Sequence, residues 1–161
     1  MILTNTQEGQ QLINTVAYAI ISEQAPAELT FYVEIRDRYF ANPNTFLESA
    51  VDEDNPLGFG NGIAIGMLSA AVFPLIAPLL KLLVEEVVKA FGKNAGSEAM
   101  TWVESLFSNE KPVKEQVFTA QQLKRIKKEF DIIAKNEASR LQLQPAEVQA
   151  VRDAMIVRLL S

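Results

Sequence analysis

The feature that most limits how this chain can fold is an uncharged stretch of 26 residues, at positions 55–80. It follows the acidic residues Asp52, Glu53 and Asp54, and it ends at Lys81. An apolar segment of this length either forms the buried centre of a domain or enters a membrane. The interpretation of the fold and of the function therefore depends on this segment.

On both sides of the segment, apolar residues recur at three-to-four spacing, which predicts helices almost throughout. Leu12, Val16 and Ile20 indicate a first helix, which Thr4, Asn5 or Thr6 can cap. Pro26 ends this helix and suits the first turn of the next one. A short third helix is predicted to start at Pro43.

The second half of the chain carries further helix signals. Leu79, Leu80, Leu83, Val87 and Phe91 form one apolar stripe, and Lys81, Glu85, Glu86 and Lys89 are expected to lie off it. Glu85 and Lys89 form a favourable pair four residues apart, and Gly92 is a natural helix end. Ser97, a capping box from Thr119 to Gln122, and Pro145 mark three more helix starts.

These signals predict an all-α fold, a single compact domain of six to eight helices over residues 1–161. Its parts are an acidic N-terminal third (1–54), the uncharged central segment (55–80) and a mildly basic helical half (81–161). Residues 1–56 carry nine acidic and two basic side chains, a net charge of −7, whereas residues 81–161 carry +2. We expect the two charged parts to dock on each other.

The composition argues against an enzyme. The chain contains no histidine and no cysteine, so the usual general base, the thiolate nucleophile and the commonest metal ligands are missing. No nucleophile–base pair or nucleotide-binding glycine pattern is present. We predict no catalytic residues, no metal site and no cofactor, and we take the cytoplasm as the default location because no secretory signal is visible.

Within the central segment, Gly58, Gly62 and Gly66 repeat every four residues, and Pro74 and Pro78 follow four residues apart. Glycines at this spacing share one helix face and let another backbone approach closely, which is the glycine-zipper pattern of packed helices. The pattern predicts a contact surface for self-association or for another protein. Phe73, at the end of the run before Pro74, belongs to the same predicted surface.

The alternative is a membrane-inserting or pore-forming protein that uses residues 63–84. Two observations weigh against spanning. A straight helix over residues 57–73 is about 26 Å long, shorter than a hydrocarbon core of about 30 Å. In addition, Pro74 interrupts the run, so Pro74 or Pro78 is expected to begin a separate helix. The favoured state is therefore a bundle with a buried central hairpin.

Two other sites are predicted outside the central segment. Trp102, the only tryptophan, either belongs to the core or anchors a partner. Lys124, Arg125, Lys127 and Lys128 form a basic cluster that could bind an anionic partner. Nucleic acid is disfavoured because the chain is acidic overall and no aromatic residue is interleaved for base stacking. A solvated helix face, or docking onto the acidic N-terminal third, is the preferred interpretation of the cluster.

The functional prediction is a non-enzymatic helical interaction protein: an adaptor, a regulator or an assembly subunit. Its partner is another protein or a second copy of the chain, and an association with a membrane is the alternative. The residues expected to carry the interaction lie in the glycine- and proline-rich segment and at Trp102. No resemblance to a known family enters this prediction.

Overall fold

A computed structural model describes residues 3–46, 68–108 and 117–160 of the chain, and every regular element within these ranges is a helix. The predicted all-α fold is therefore confirmed. The α-helices are α1 (Gln7–Gln24), α2 (Tyr32–Ala41), α3 (Leu68–Phe91), α4 (Gly96–Phe107), α5 (Ala120–Leu141) and α6 (Pro145–Leu160). Short 3-10 helices at Leu3–Asn5 and Pro26–Phe31 precede α1 and α2.

Helix α3 is the centre of the bundle, and the other five α-helices all pack against it. Its buried positions include ten large apolar side chains, and the predicted stripe from Leu79 to Val87 is among them. The part of the uncharged segment from residue 68 to residue 80 thus forms the first half of a core helix. The zipper glycines, Gly58, Gly62 and Gly66, lie outside the described residues.

The two prolines do not divide this helix, and the prediction that one of them begins a new helix is wrong. Pro74 and Pro78 both lie inside α3. Each proline removes one backbone hydrogen bond, at a cost of about 3 kcal/mol. Burial of ten large apolar side chains contributes about 1.5–3 kcal/mol each, so tertiary packing outweighs the local penalty.

The N-terminal half of α3 packs into a group of aromatic rings. The ring of Phe73 is fully buried, and it lies 5.3 Å from the Tyr39 ring, 5.7 Å from Tyr32 and 6.2 Å from Phe40. Ring pairs at these separations add to the free energy gained by burial. These contacts fix α2 against the start of α3.

Most helix ends agree with the sequence signals. The Thr6 side chain accepts a hydrogen bond from the Gly9 amide at 3.0 Å, and the Thr119–Gln122 capping box is present. Gly92 follows α3 with a φ of 121°, a left-handed conformation that favours glycine. Ser97 does not cap α4, because that helix begins one residue earlier, and the Ser97 hydroxyl instead donates to the Glu8 carboxylate at 3.1 Å.

The helix predicted to start at Pro43 falls at the edge of the described chain. Residues 43–45 form a turn, in which the Thr45 amide donates to the Asn42 carbonyl at 3.3 Å. Phe46 follows as a buried core residue. The remainder of that predicted helix lies outside the described residues.

Candidate interaction surface

The residues predicted to carry an interaction are spread over different parts of the structure. Phe73 is fully buried in the aromatic group, so a partner cannot reach its ring in this conformation. Pro74 and Pro78 are partly exposed on α3. The glycines of the zipper are outside the described residues. The interface predicted around the central segment therefore stays a prediction.

Trp102 lies on α4, where it packs against the ring of Phe118. Its indole packs edge-on against the ring of Phe118, with a centroid separation of 5.9 Å, and it contacts the core without being fully buried. Within the described parts of the chain its buried ring N–H meets no hydrogen-bond acceptor. The structure thus favours a core role for the apolar part of Trp102.

The side chains of the basic cluster on α5 are exposed. Lys124, Arg125, Lys127 and Lys128 are all exposed, while Ile126 between them is buried and holds the helix on the core. No acidic residue occurs in the first nine residues of α5. The four charges therefore stand together on the outer surface of the bundle, and we call them the basic surface.

The expected docking of this cluster onto the acidic N-terminal third is not observed in the described part of the chain. Helix α5 packs mainly against α3 and α6. The acidic third and the basic half meet elsewhere, for example where Arg158 of α6 pairs with Glu23 of α1 and where Ser97 of α4 donates to Glu8 of α1. Among the described residues, no side chain of the acidic third pairs with the basic surface.

A buried carboxylate fixes one edge of the basic surface. Glu86 of α3 is only 4% exposed, and it accepts from the Arg125 guanidinium and from the Lys89 ammonium, the latter at 3.1 Å. Arg125 and Lys89 themselves remain at least half exposed. Glu86 therefore holds two cations at the boundary between α3 and α5 with much of each side chain open to water.

The sequence interpretation of this part of α3 is corrected in two ways. Glu86 does not lie off the apolar stripe, and Lys89 pairs with Glu86 rather than with Glu85. The missed signal is the spacing: Glu86 lies seven residues after Leu79 and three after Leu83, and both of these are buried. Residues at these intervals share one helix face.

The three lysines of the basic surface differ from Arg125. Within the described residues, Lys124, Lys127 and Lys128 make no ion pair. Three neighbouring cations without carboxylate partners raise the local positive potential on a chain whose net charge is −5. Such a surface attracts an acidic ligand and steers its approach.

Other types of site have less support in the described parts of the chain. No group of three or more metal-ligating side chains is found there. Among the same residues, no helix is long and apolar enough to cross a membrane. Comparison of the chain with protein-family models, with curated proteins and with solved structures finds no match. Its function is therefore inferred from its own residues.

Proposed function

We propose that this chain is a non-enzymatic helical interaction protein that binds an acidic segment of another protein. The observation that carries the proposal is the basic surface of α5, where three exposed lysines have no ion-pair partner in the described chain. Charge complementarity of this kind mainly supplies specificity and a fast association rate. An adaptor or an assembly subunit needs both properties.

The arrangement around Glu86 supports the same function. Lysine side chains are flexible point charges, whereas the Arg125 guanidinium is held by the buried carboxylate of Glu86. A guanidinium with a fixed orientation can donate to a partner carboxylate with defined geometry. The basic surface therefore combines one oriented group with three mobile ones.

The experiment compares charge reversals at two places on the same protein. Lys124→Glu with Lys127→Glu changes the basic surface, and Lys81→Glu with Lys93→Glu makes the same change of net charge at other exposed positions. The probe is a fluorescent polyglutamate peptide, and fluorescence anisotropy measures its affinity. We expect the first pair to weaken binding about tenfold or more and the control pair to leave it nearly unchanged.

Two outcomes would contradict the proposal. Equal loss of affinity in both double variants would mean that the peptide responds to total charge and not to this surface. Failure of the unmodified chain to bind polyglutamate at about 50 mM salt, where surface charges are weakly screened, would remove the proposed activity itself.

Insertion of α3 into a membrane is the second candidate function. The specific observation in its favour is the apolar character of the first half of α3, which carries no charge before Lys81. In the described structure this half is covered by neighbouring helices, so insertion would require the bundle to open. Flotation with anionic vesicles at neutral and acidic pH tests it, and protein that stays in the soluble fraction counts against it.

A further inference from the structure

Helix α5, which carries the basic surface, and the neighbouring α6 together carry most of the exposed apolar side chains in the described chain. Five large hydrophobic residues in the described chain are at least half exposed, and three of them lie on α5 and α6: Ile132 at 52%, Val157 at 63% and Leu160 at 51%. Single exposed aliphatic residues are common on protein surfaces, so the significance of these three depends on where they lie relative to the unpaired lysines.

The register of α5 and α6 brings the charges and the apolar groups to the same level. Helices α5 and α6 pack against each other and are joined by only three residues, and Asp131 of α5 pairs with Arg152 of α6, so we take the helices to run antiparallel with these two residues at one level. Lys124 lies seven residues before Asp131, about 10 Å along α5. Leu160 lies eight residues after Arg152, about 12 Å along α6. The two side chains are therefore at nearly the same height on adjacent helices.

Helical periodicity also places Lys124 and Leu160 on the same side of the pair formed by α5 and α6. Lys127 and Lys124 precede Asp131 by four and seven residues, so they share the stripe of α5 that faces Arg152. On α6, Ile156 follows Arg152 by four residues and is only partly buried. The seam between the two helices, beyond the Asp131–Arg152 pair, is thus lined by lysines on one side and by aliphatic groups on the other.

We infer that this seam binds an acidic segment that also carries aliphatic or aromatic side chains, so that its carboxylates meet Lys124 and Lys127 while its apolar groups cover Leu160 and the exposed part of Ile156. The inference rests on the proposed function and specifies the partner. A purely acidic segment would satisfy the lysines but would leave the aliphatic side chains in water.

The surroundings of the seam favour a peptide over an anionic lipid surface. Carboxylates lie close to this seam. Asp131 shares the stripe of α5 that carries the two lysines, and Asp131 and Asp153 both pair with Arg152 while remaining about half exposed. A flat anionic membrane would approach these carboxylates together with the lysines and would be repelled by them. A peptide can place its acidic residues beside the lysines alone and thereby avoid this repulsion.

The test uses the whole chain with two fluorescent peptides of equal length, one of glutamate only and one in which leucines replace glutamates at every fourth position. Phosphatidylserine vesicles form a third probe. We expect the leucine-containing peptide to bind about tenfold more tightly than the glutamate peptide, since each buried aliphatic group adds to affinity. We also expect Leu160→Ser to reduce this difference.

The control variant is Val33→Ser, which removes an aliphatic side chain of similar exposure from α2 and should keep the full difference. Equal binding of the two peptides would overturn the inference and leave the proposed function intact. Absence of binding by both peptides would overturn both. Strong binding to the vesicles with no binding to either peptide would do the same and would assign the seam to lipid.

Discussion

The carboxylate of Glu28 accepts hydrogen bonds from both the amide and the hydroxyl of Ser69, at 2.8 Å and 2.5 Å. Its second oxygen accepts from the Leu68 amide at 3.1 Å. Glu28 lies on the 3-10 helix before α2, forty residues away in sequence, yet it occupies the place of a helix cap for α3. It satisfies amides that a helix start leaves without partners and meets the positive end of the helix dipole.

We expect Glu28→Ala to lower the free energy of unfolding by about 2 kcal/mol, because Ser69 is fully buried and would lose a charged acceptor. Urea denaturation measures the change. The control is Glu34→Ala, which removes an exposed carboxylate paired with Arg38 and should cost less than about 1 kcal/mol. Equal losses in the two variants would mean that Glu28 does not cap α3.

A second prediction concerns the contact between the first 3-10 helix and α1. A Cβ added at Gly9 would overlap the carbonyl oxygen of Leu3, whereas a Cβ at Gly96 would meet open space. Gly9→Ala should therefore destabilise the protein by about 1–3 kcal/mol through overpacking against the backbone. Gly96→Ala should be neutral or stabilising by up to about 1 kcal/mol. Thermal unfolding of both variants provides the comparison, and a stable Gly9→Ala variant would contradict this packing.

The buried carboxylate Glu86 predicts an asymmetry between two substitutions. Arg125→Met leaves Glu86 buried with only Lys89 beside it, so we expect the free energy of unfolding to fall by about 2 kcal/mol. This loss is smaller than that for a fully buried ion pair, because Arg125 is half exposed. Glu86→Leu leaves a half-exposed guanidinium that water can solvate, and it should cost less than about 1 kcal/mol. Chemical denaturation measures both. A larger loss for Glu86→Leu than for Arg125→Met would contradict the prediction.

The parts of the fold that depend on local chemistry could be predicted from the sequence. The capping box at Thr119, the N-cap at Thr6 and the helix end at Gly92 each depend on residues within one helical turn. The apolar stripe of α3 likewise follows from periodicity alone. These features need no knowledge of what packs against them.

The parts that were missed depend on contacts that are distant in sequence. Pro74 continues a helix because neighbouring helices bury the side chains around it, which no local rule reports. Glu28 caps α3 across forty residues, and Arg125 reaches Glu86 across thirty-nine. For the candidate surface, the four basic residues were identified from the sequence, whereas the inferred level of Leu160 relative to them depends on the pairing of Asp131 with Arg152.

The glycine pattern gives a prediction that concerns residues outside the described ranges. If Gly62 and Gly66 form a close helix contact between copies of the chain, then Gly62→Leu or Gly66→Leu should abolish assembly, since a large side chain prevents backbone approach. Light scattering of the purified protein measures the mass. Gly96→Leu, at an open position of α4, is the matched control. An unchanged mass in both zipper variants would remove the glycine contact as the basis of self-association.

Glu147 predicts how the stability depends on pH. Its carboxylate is partly buried in the first turn of α6, and burial raises its pKa above the usual value of 4.5, with a further contribution from the charge of Glu28. An acid whose pKa is higher in the folded state binds protons more strongly there than in the unfolded chain. Its ionisation therefore destabilises the fold as the pH rises from about 4.5 through the folded pKa.

Glu147→Gln removes this ionisation and should stabilise the protein at pH values well above that range. At pH values below about 4, where the glutamate is protonated in both states, the variant and the unmodified chain should have nearly the same stability. Urea denaturation across this pH range measures the difference, and Glu98→Gln, which alters an exposed glutamate in the first turn of α4, is the control. If Glu147→Gln lowered the stability at neutral pH, the charged carboxylate would be a favourable helix-end group, and the cost of its burial would not dominate at this end of α6.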